Sequence, residues 1–250
     1  RGGGADENLY LLDGNPVYHV NHLLGFFSAF NPDAIKNTRF YKGSFPAEYG
    51  GRLSSVVDVR MNDGNRQEYH GNISVGLLSA RANLEGPIVK DRSSFNVSVR
   101  RTWLDLITGT ALAVVNKNSS IKDVFGYHFF DINAKLNHSF SDRSRAYLSF
   151  YMGQDAFRQG SKEKNGDSED MFLWRWGNLI GSAGWNYVFG QKLFGNLMVG
   201  YSRFRSHIRQ EVGGYEIYAG KEGKESFKRE SYYKSVSYTH LRAHETTLHL

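Results

Sequence analysis

Residues Tyr127 to Phe140 read YHFFDINAKLNHSF, and within them Phe130, Ile132, Ala134 and Leu136 alternate with Asp131, Asn133, Lys135 and Asn137. Alternation of this kind is the signature of a β-strand with one apolar and one polar face. The same period is found at Phe95, Val97 and Val99 against Asn96, Ser98 and Arg100, and at Ala146, Leu148, Phe150 and Met152 against Arg145, Tyr147, Ser149 and Tyr151. It returns between Leu179 and Phe189 and again between Leu197 and Phe204, so six strands and part of a seventh are expected from about Tyr69 onward.

The connections between these strands alternate in length. Gly86 to Asp91, Ser141 to Ser144 and Gly190 to Lys192 are short; Leu104 to Gly126, Ala156 to Asp170 and Gln210 to Ser231 are long. A transmembrane β-barrel sorts its connections in this way, with tight turns at one rim and long loops at the other. Aromatic girdles at the two membrane interfaces would be the second mark of such a barrel. Trp174 and Trp176 lie toward one end of their strand, and Trp185 and Tyr187 toward the other. The two pairs are out of phase, so placing both on the lipid face predicts a β-bulge, with Gly177 as its site.

Bulk composition excludes more than it identifies. The 250 residues contain no cysteine, which removes disulfides, thiolate metal sites and thiol nucleophiles. A net charge of +6 would suit an anionic partner, yet no basic helix or lysine-rich run accompanies it, and nucleic acid is not expected as a partner. No apolar run is long enough for a transmembrane helix. The chain begins at Arg1 without methionine or a signal peptide and reads as a fragment. Its end, SYTHLRAHETTLHL (Ser237 to Leu250), matches no period before it and resembles translated sequencing-adaptor read-through; residues 237–250 are read as a non-native tail.

The first 65 residues read differently from the rest. Short strands are expected at Leu9 to Asp13 and Thr38 to Lys42, with a helical turn at Asn31 to Lys36, giving a small mixed α+β unit. Here RGGGADENLYLLDGNPVY, followed by FNPDAIKNTRFYKGSFPAEYGGRLSSVVDVR, resembles the C-terminal half of the plug domain of TonB-dependent outer-membrane receptors of the Bacteroidota type. The resemblance runs from Arg1 to about Met61, and YHFFDINAKLNHSF with its hairpin is similar to an early barrel strand pair of that family.

The resemblance implies that residues 1–65 are the end of a plug and that residues 66–236 are the first part of a barrel of about 22 antiparallel strands. It implies import of a siderophore, cobalamin or an oligosaccharide across the bacterial outer membrane, energised by the TonB–ExbB–ExbD complex through a box upstream of Arg1. Outer-membrane lipid, lipopolysaccharide and a surface lipoprotein are the other implied partners. Tyr18, His19, Asn21 and His22, after LLDGNPV, match the apical plug loop and are the candidate substrate contacts. Arg1 and Lys42 match basic positions that pair with barrel glutamates; a lysine at the second lacks the bidentate fork of arginine. Gly50 and Gly51 supply the tight turn where the plug hands over to the barrel.

Other chemistries read more weakly. His19 and His22 with Asp13 could ligate a metal, but no third imidazole or thiolate is suitably spaced, so neither a metal nor a cofactor is expected. Asp155, His128 and Ser161 have the residue types of a hydrolytic triad without any accompanying motif, so no enzymatic activity is expected. Tyr147 and Tyr151 on the polar face would suit stacking against sugar rings, or serve simply as β-formers. The Asn-X-Ser sites at Asn72, Asn96 and Asn137 fall within strands, where glycans would obstruct packing. A passive porin-like or adhesin barrel and a soluble carbohydrate-binding β-sandwich are the alternative functional classes.

Overall fold

A computed structural model of the chain describes residues 7–42, 46, 49, 54–164, 168–190, 193–217 and 224–244, with side chains at all of these but 24, 168, 214–217 and 224–244. The protein is mostly β, with a small N-terminal unit lying against one face of a large antiparallel sheet.

In the small unit, β1 (Asn8–Leu12) and β2 (Asn15–Pro16) are joined through Asp13 and Gly14, whose φ values of 46° and 81° are both positive. Two positive central residues make a hairpin turn that matches strand twist, and Asp-Gly is a favoured pair for it. β3 (Asn21–His22) and β4 (Phe27–Ser28) flank a 3-10 turn at Leu23–Gly25. A second 3-10 turn, Pro32–Ala34, has Asn31 at its start accepting the Asp33 N–H at 3.3 Å; among the described residues before 65 there is no α-helix. β5 (Ile35–Lys42) and β6 (Ser55–Met61) complete a four-stranded sheet of order β2-β1-β6-β5, with β1 and β6 parallel. Its core joins Leu12, Val17, Ala29, Val59 and Met61 to Tyr151 and Ile180 of the large sheet.

The large sheet has eight strands, ordered as they occur in the chain: β7 (His70–Val75), β8 (Ser79–Val89), β9 (Ser93–Thr102), β10 (Ile121–Ser141), β11 (Ser144–Glu163), β12 (Ser168–Val188), β13 (Phe194–Ile217) and β14 (Lys224–His244). All neighbours are antiparallel, and β7 and β14 do not pair with each other, so the sheet is open.

Register confirms the two-faced character read from the alternation. On the outer face Leu84, Val97, Ala134, Phe150, Gly181 and Tyr201 are successive cross-strand partners. One residue along, Asn83, Ser98, Asn133, Tyr151, Ile180 and Ser202 form the corresponding row, and from Ser98 to Ser202 it faces the small unit.

Three expectations are corrected. The sheet has eight strands, where six to seven were expected. The segments expected as long charged loops are largely hairpin extensions, since β11 runs to Glu163 before β12 begins at Ser168, and β13 runs to Ile217. Where both faces meet water the apolar alternation disappears, while the main-chain ladder continues to satisfy its N–H and C=O groups. Finally, β12 pairs with both neighbours without a register shift, so Gly177 is not a bulge. Trp176 therefore points inward, is 4% exposed, and leaves only Trp185 and Tyr187 on the outer face.

The connection between β9 and β10 carries α1 (Leu104–Val115), whose Leu106, Ile107, Val114 and Val115 are exposed. In β14 the ladder to β13 shifts register opposite Ser235 to Tyr238, at the point where the sequence pattern changes, and then continues to His244.

Candidate functional site

The Asp13-Gly14 turn delivers the following segment, Tyr18 to His22, onto the inner face of the large sheet. Asn15 donates from Nδ2 to Ser182 Oγ at 2.5 Å, and Ser202 Oγ donates to the Pro16 carbonyl at 2.5 Å. This approach requires Gly200 on β13, because a Cβ there would lie 1.5 Å from Asn15 Oδ1.

Asn178 then clamps the His19 backbone from both sides, accepting its N–H at 3.3 Å and donating to its carbonyl at 2.7 Å. The His19 ring stands edge-on to Trp176 with centroids 6.0 Å apart, and 6.0 Å from Phe204. Burial holds its pKa below the ordinary histidine value despite the opposing pull of Asp155, and charged His22 adds to the lowering.

His22 is placed differently. It is 2% exposed, and its ring stacks on Phe129 at 4.1 Å and 6°. Nδ1 lies 2.7 Å from Asp155 Oδ2 and Nε2 2.9 Å from Asp131 Oδ1, the second contact being an ion pair off the hydrogen-bonding axis. Burial opposes its charge, but the two carboxylates outweigh burial and raise its pKa to about 9. At neutral pH His22 is therefore a cation and His19 is not.

Both carboxylates are themselves held. Arg100 pairs with Asp131 from Nε at 2.7 Å and also from Nη2, and reaches the Ser28 carbonyl of the small unit at 2.7 Å. The Tyr127 hydroxyl donates to Asp155 and accepts the Leu23 N–H at 2.6 Å. Two carboxylates of the sheet are thus balanced by one cation of the small unit and one of the sheet, a closed arrangement suited to buried charge. Around it Trp174, Trp176, Phe157 and Phe204 form an aromatic wall with Leu23 and Phe27.

A second polar contact lies nearer the connection between the units. Lys135 pairs with Asp13 at 3.2 Å and Asp63 at 3.1 Å and donates to the Met61 carbonyl at 3.1 Å. Lys36 pairs with the same Asp63 at 2.5 Å. Burial would raise the Asp63 pKa, but Lys135 and Lys36 hold it below the ordinary carboxylate value.

Of the residues singled out from sequence, Tyr18, half-buried, and Asn21, exposed, flank His19 on the same segment. Asn21 lines a cavity of about 460 Å³ with Tyr10, Phe30 and Val57. His22 is buried in the contact between the units. Lys42, at the end of an edge strand, is exposed with its Nζ 5.3 Å from the Phe40 ring, and no ion pair joins it to a described residue. Arg1, Gly50 and Gly51 lie outside the described residues. No group of three or more His, Asp or Glu side chains among the described residues is arranged to hold a metal. Asp155 and His128 project from opposite faces of the sheet, as their paired positions in β11 and β10 require. Arg100, Asp131 and Lys135 were legible only as positions on a polar strand face and Asp155 only as a residue type of a hydrolytic triad, and their partners in the small unit were not.

Against known proteins, no family model and no curated protein matches the chain. Among solved structures it is similar to the siderophore receptor PirA from Acinetobacter baumannii, at 14% identity and a TM-score of 0.43, covering 96% of this chain and 51% of that one. It is also similar to PirA from Pseudomonas aeruginosa, at 15% identity and a TM-score of 0.38, covering 93% and 51%. The outer membrane transporter YddB from Escherichia coli is a third such structure, at 11% identity and a TM-score of 0.38, covering 95% and 47%. The chain thus spans about half the length of these structures.

Proposed function

We propose that this chain is part of a TonB-dependent transporter of the bacterial outer membrane, comprising the end of its plug and the first eight barrel strands. The observation that carries the reading is the two-faced sheet: its outer face is apolar, and its polar face is occupied by a separately folded small unit held through His22, Arg100 and Lys135. A soluble sandwich would bury the apolar face, and a passive pore would leave the polar face to water.

In this reading the chain lies in the outer membrane, and residues 7–61 stand between the lumen wall and the path of the substrate. The segment Tyr18 to Asn21 and the aromatic wall around Trp176 form the outer-facing substrate contact. Siderophores, cobalamin and oligosaccharides all fit the class of cargo. Energy comes from the TonB–ExbB–ExbD complex, acting on a segment outside this chain, and His22 belongs to the gate rather than to the cargo contact.

The test is to express the full-length gene with and without TonB. Recovery in the outer-membrane fraction with uptake that stops when TonB is deleted supports the reading. Recovery in the soluble fraction, or uptake indifferent to TonB, overturns it.

A further inference from the structure

Carboxylates and aromatic rings lie in layers on the inner face of the large sheet. Toward the tip of the β11–β12 hairpin, Asp123, Ser161 and Asp170 are successive cross-strand partners, and Phe125, Gln159, Phe172 and Gln210 form the next inward row. Asp123, Gln159, Asp170 and Gln210 are exposed and, with Ser161 and Phe172, line a cavity of about 360 Å³. Six residues from Ser161 along β11, or ~20 Å at ~3.3 Å per residue, the same face reaches Asp155. Phe157 and Trp174 stand in between, paired across the strands, with Phe157 edge-on to Phe172 at 6.2 Å.

At the foot of this face the surroundings are built around a cation. The His22 ring lies flat on Phe129 at 4.1 Å, with Asp155 2.7 Å from Nδ1, Asp131 2.9 Å from Nε2, and Arg100 Cζ 5.0 Å from the same Phe129 ring. A flat cation on an aromatic face between two carboxylates is the arrangement that guanidinium and amidinium groups adopt. His22 fills it incompletely, because Nε2 is buried without a hydrogen-bond partner among the described residues. A planar fork of N–H donors reaches a carboxylate along the bonding axis more readily than a ring does. Without His22 the sheet is left with two carboxylates and one cation. Arg100 stays with Asp131 at 2.7 Å, and Asp155 keeps the neutral Tyr127 hydroxyl. A buried carboxylate in that state requires a replacement charge.

We infer that Asp131, Asp155 and the face of Phe129 form a binding site for a planar organic cation, with His22 as its internal occupant and a guanidinium- or amidinium-bearing cargo as the ligand that takes its place. The inference rests on the transporter reading above and gives the cargo its charge class. The layers set the order of contact. Asp123 and Asp170 attract the cation at the mouth, the rings of Phe157 and Trp174 offer it their faces, and Asp155 receives it as His22 leaves with the small unit. Competition for the same carboxylates makes arrival of the cation and release of residues 15–28 a single equilibrium.

The experiment uses the full-length receptor in nanodiscs at neutral pH and constant ionic strength, with hydrogen exchange of residues 15–28 followed as millimolar methylguanidinium replaces sodium. Exchange should accelerate in proportion to concentration, about threefold at twice the dissociation constant for the open form, because the ligand binds that form alone. Methylurea, of the same shape without the charge, should leave exchange unchanged. Asp155→Asn should exchange faster at the outset and lose the response, while Asp142→Asn, in the turn between β10 and β11, should keep it. Equal effects of methylguanidinium and methylurea, or no effect of either, overturn the inference. Equal acceleration by added sodium ions would assign the site to any cation and overturns the planar class. Should Asp155→Asn fail to show the heat-modifiable mobility of a folded barrel, the wild-type comparison of the two compounds decides alone. Membrane fractionation and uptake without TonB, done first, expose any failure of the transporter reading separately.

Discussion

His22 Nδ1 of the small unit and Asp155 Oδ2 of the large sheet meet at 2.7 Å across a separation of 133 residues, and Asp131 closes on the other ring nitrogen. A buried cation held by two carboxylates makes the contact between the units dependent on one proton.

The sign of that dependence is set by a folded pKa raised from 6.5 to about 9. The contribution is complete below pH 6.5 and is lost as pH rises through about 9, and the shift corresponds to roughly 3 kcal/mol. In the full-length protein, the hydrogen-exchange protection of residues 15–28, corrected for the base-catalysed rise of intrinsic exchange, should fall between pH 7 and 9.5. His22→Gln should raise exchange at pH 7 and flatten the response. A wild-type profile flat over that range would refute the charged-histidine assignment.

Lys135 is the sheet's cation at the second contact, and Lys135→Met leaves Asp13 without it in a site where Asp13 is 1% exposed. A loss of about 3 kcal/mol is expected, read as a lower denaturant midpoint for the small unit. Asp63 adds an acid limb: with its pKa held below 3.8, it stabilises above that value and loses the contribution as pH falls through the depressed pKa. Lys135→Met should weaken that acid response as well.

Gly200 can be tested by the side chain it lacks. Gly200→Ala drives a Cβ into Asn15 Oδ1 and should push the Asp13-Gly14 turn off β13, exposing residues 13–22 to limited proteolysis. Combining it with Asn15→Ala removes the clashing oxygen and should recover most of the protection. Equal protection in Gly200→Ala alone would show that the turn does not dock there.

The height of the apolar band can be mapped with a single arginine. Phe150→Arg falls in a row with no charge and should cost about 2–4 kcal/mol of folding into lipid vesicles. Ala156→Arg, across from Arg175, should cost no more than about 1 kcal/mol. Equal costs would show that the apolar band does not end between these two rows.

Much of this architecture was legible in the chain itself. Period two in FDINAKLN and RAYLSFYM stated which residues share a face, since alternation follows from the geometry of an extended backbone alone. The turn at Asp13-Gly14 was equally local, and the polar face carried Asp131 and Lys135 in plain view. The candidate contact segment was recognisable by its resemblance, but its division of labour was not. His19 and His22 look alike in sequence, three residues apart, yet one stands against Trp176 and the other is locked between carboxylates supplied by different strands.

Tertiary structure decided what depends on partners. Whether Trp174 and Trp176 stood on the outer or the inner face turned on the register of β12 against β11 and β13, and an unbroken ladder put them on the inner face, beside the small unit. The strands outran their apolar segments because backbone hydrogen bonding continues in water after hydrophobic patterning has ended. His22 became a charged latch only when β10 and β11 brought Asp131 and Asp155 to it, a matter of distance in space between residues that distance in the sequence conceals.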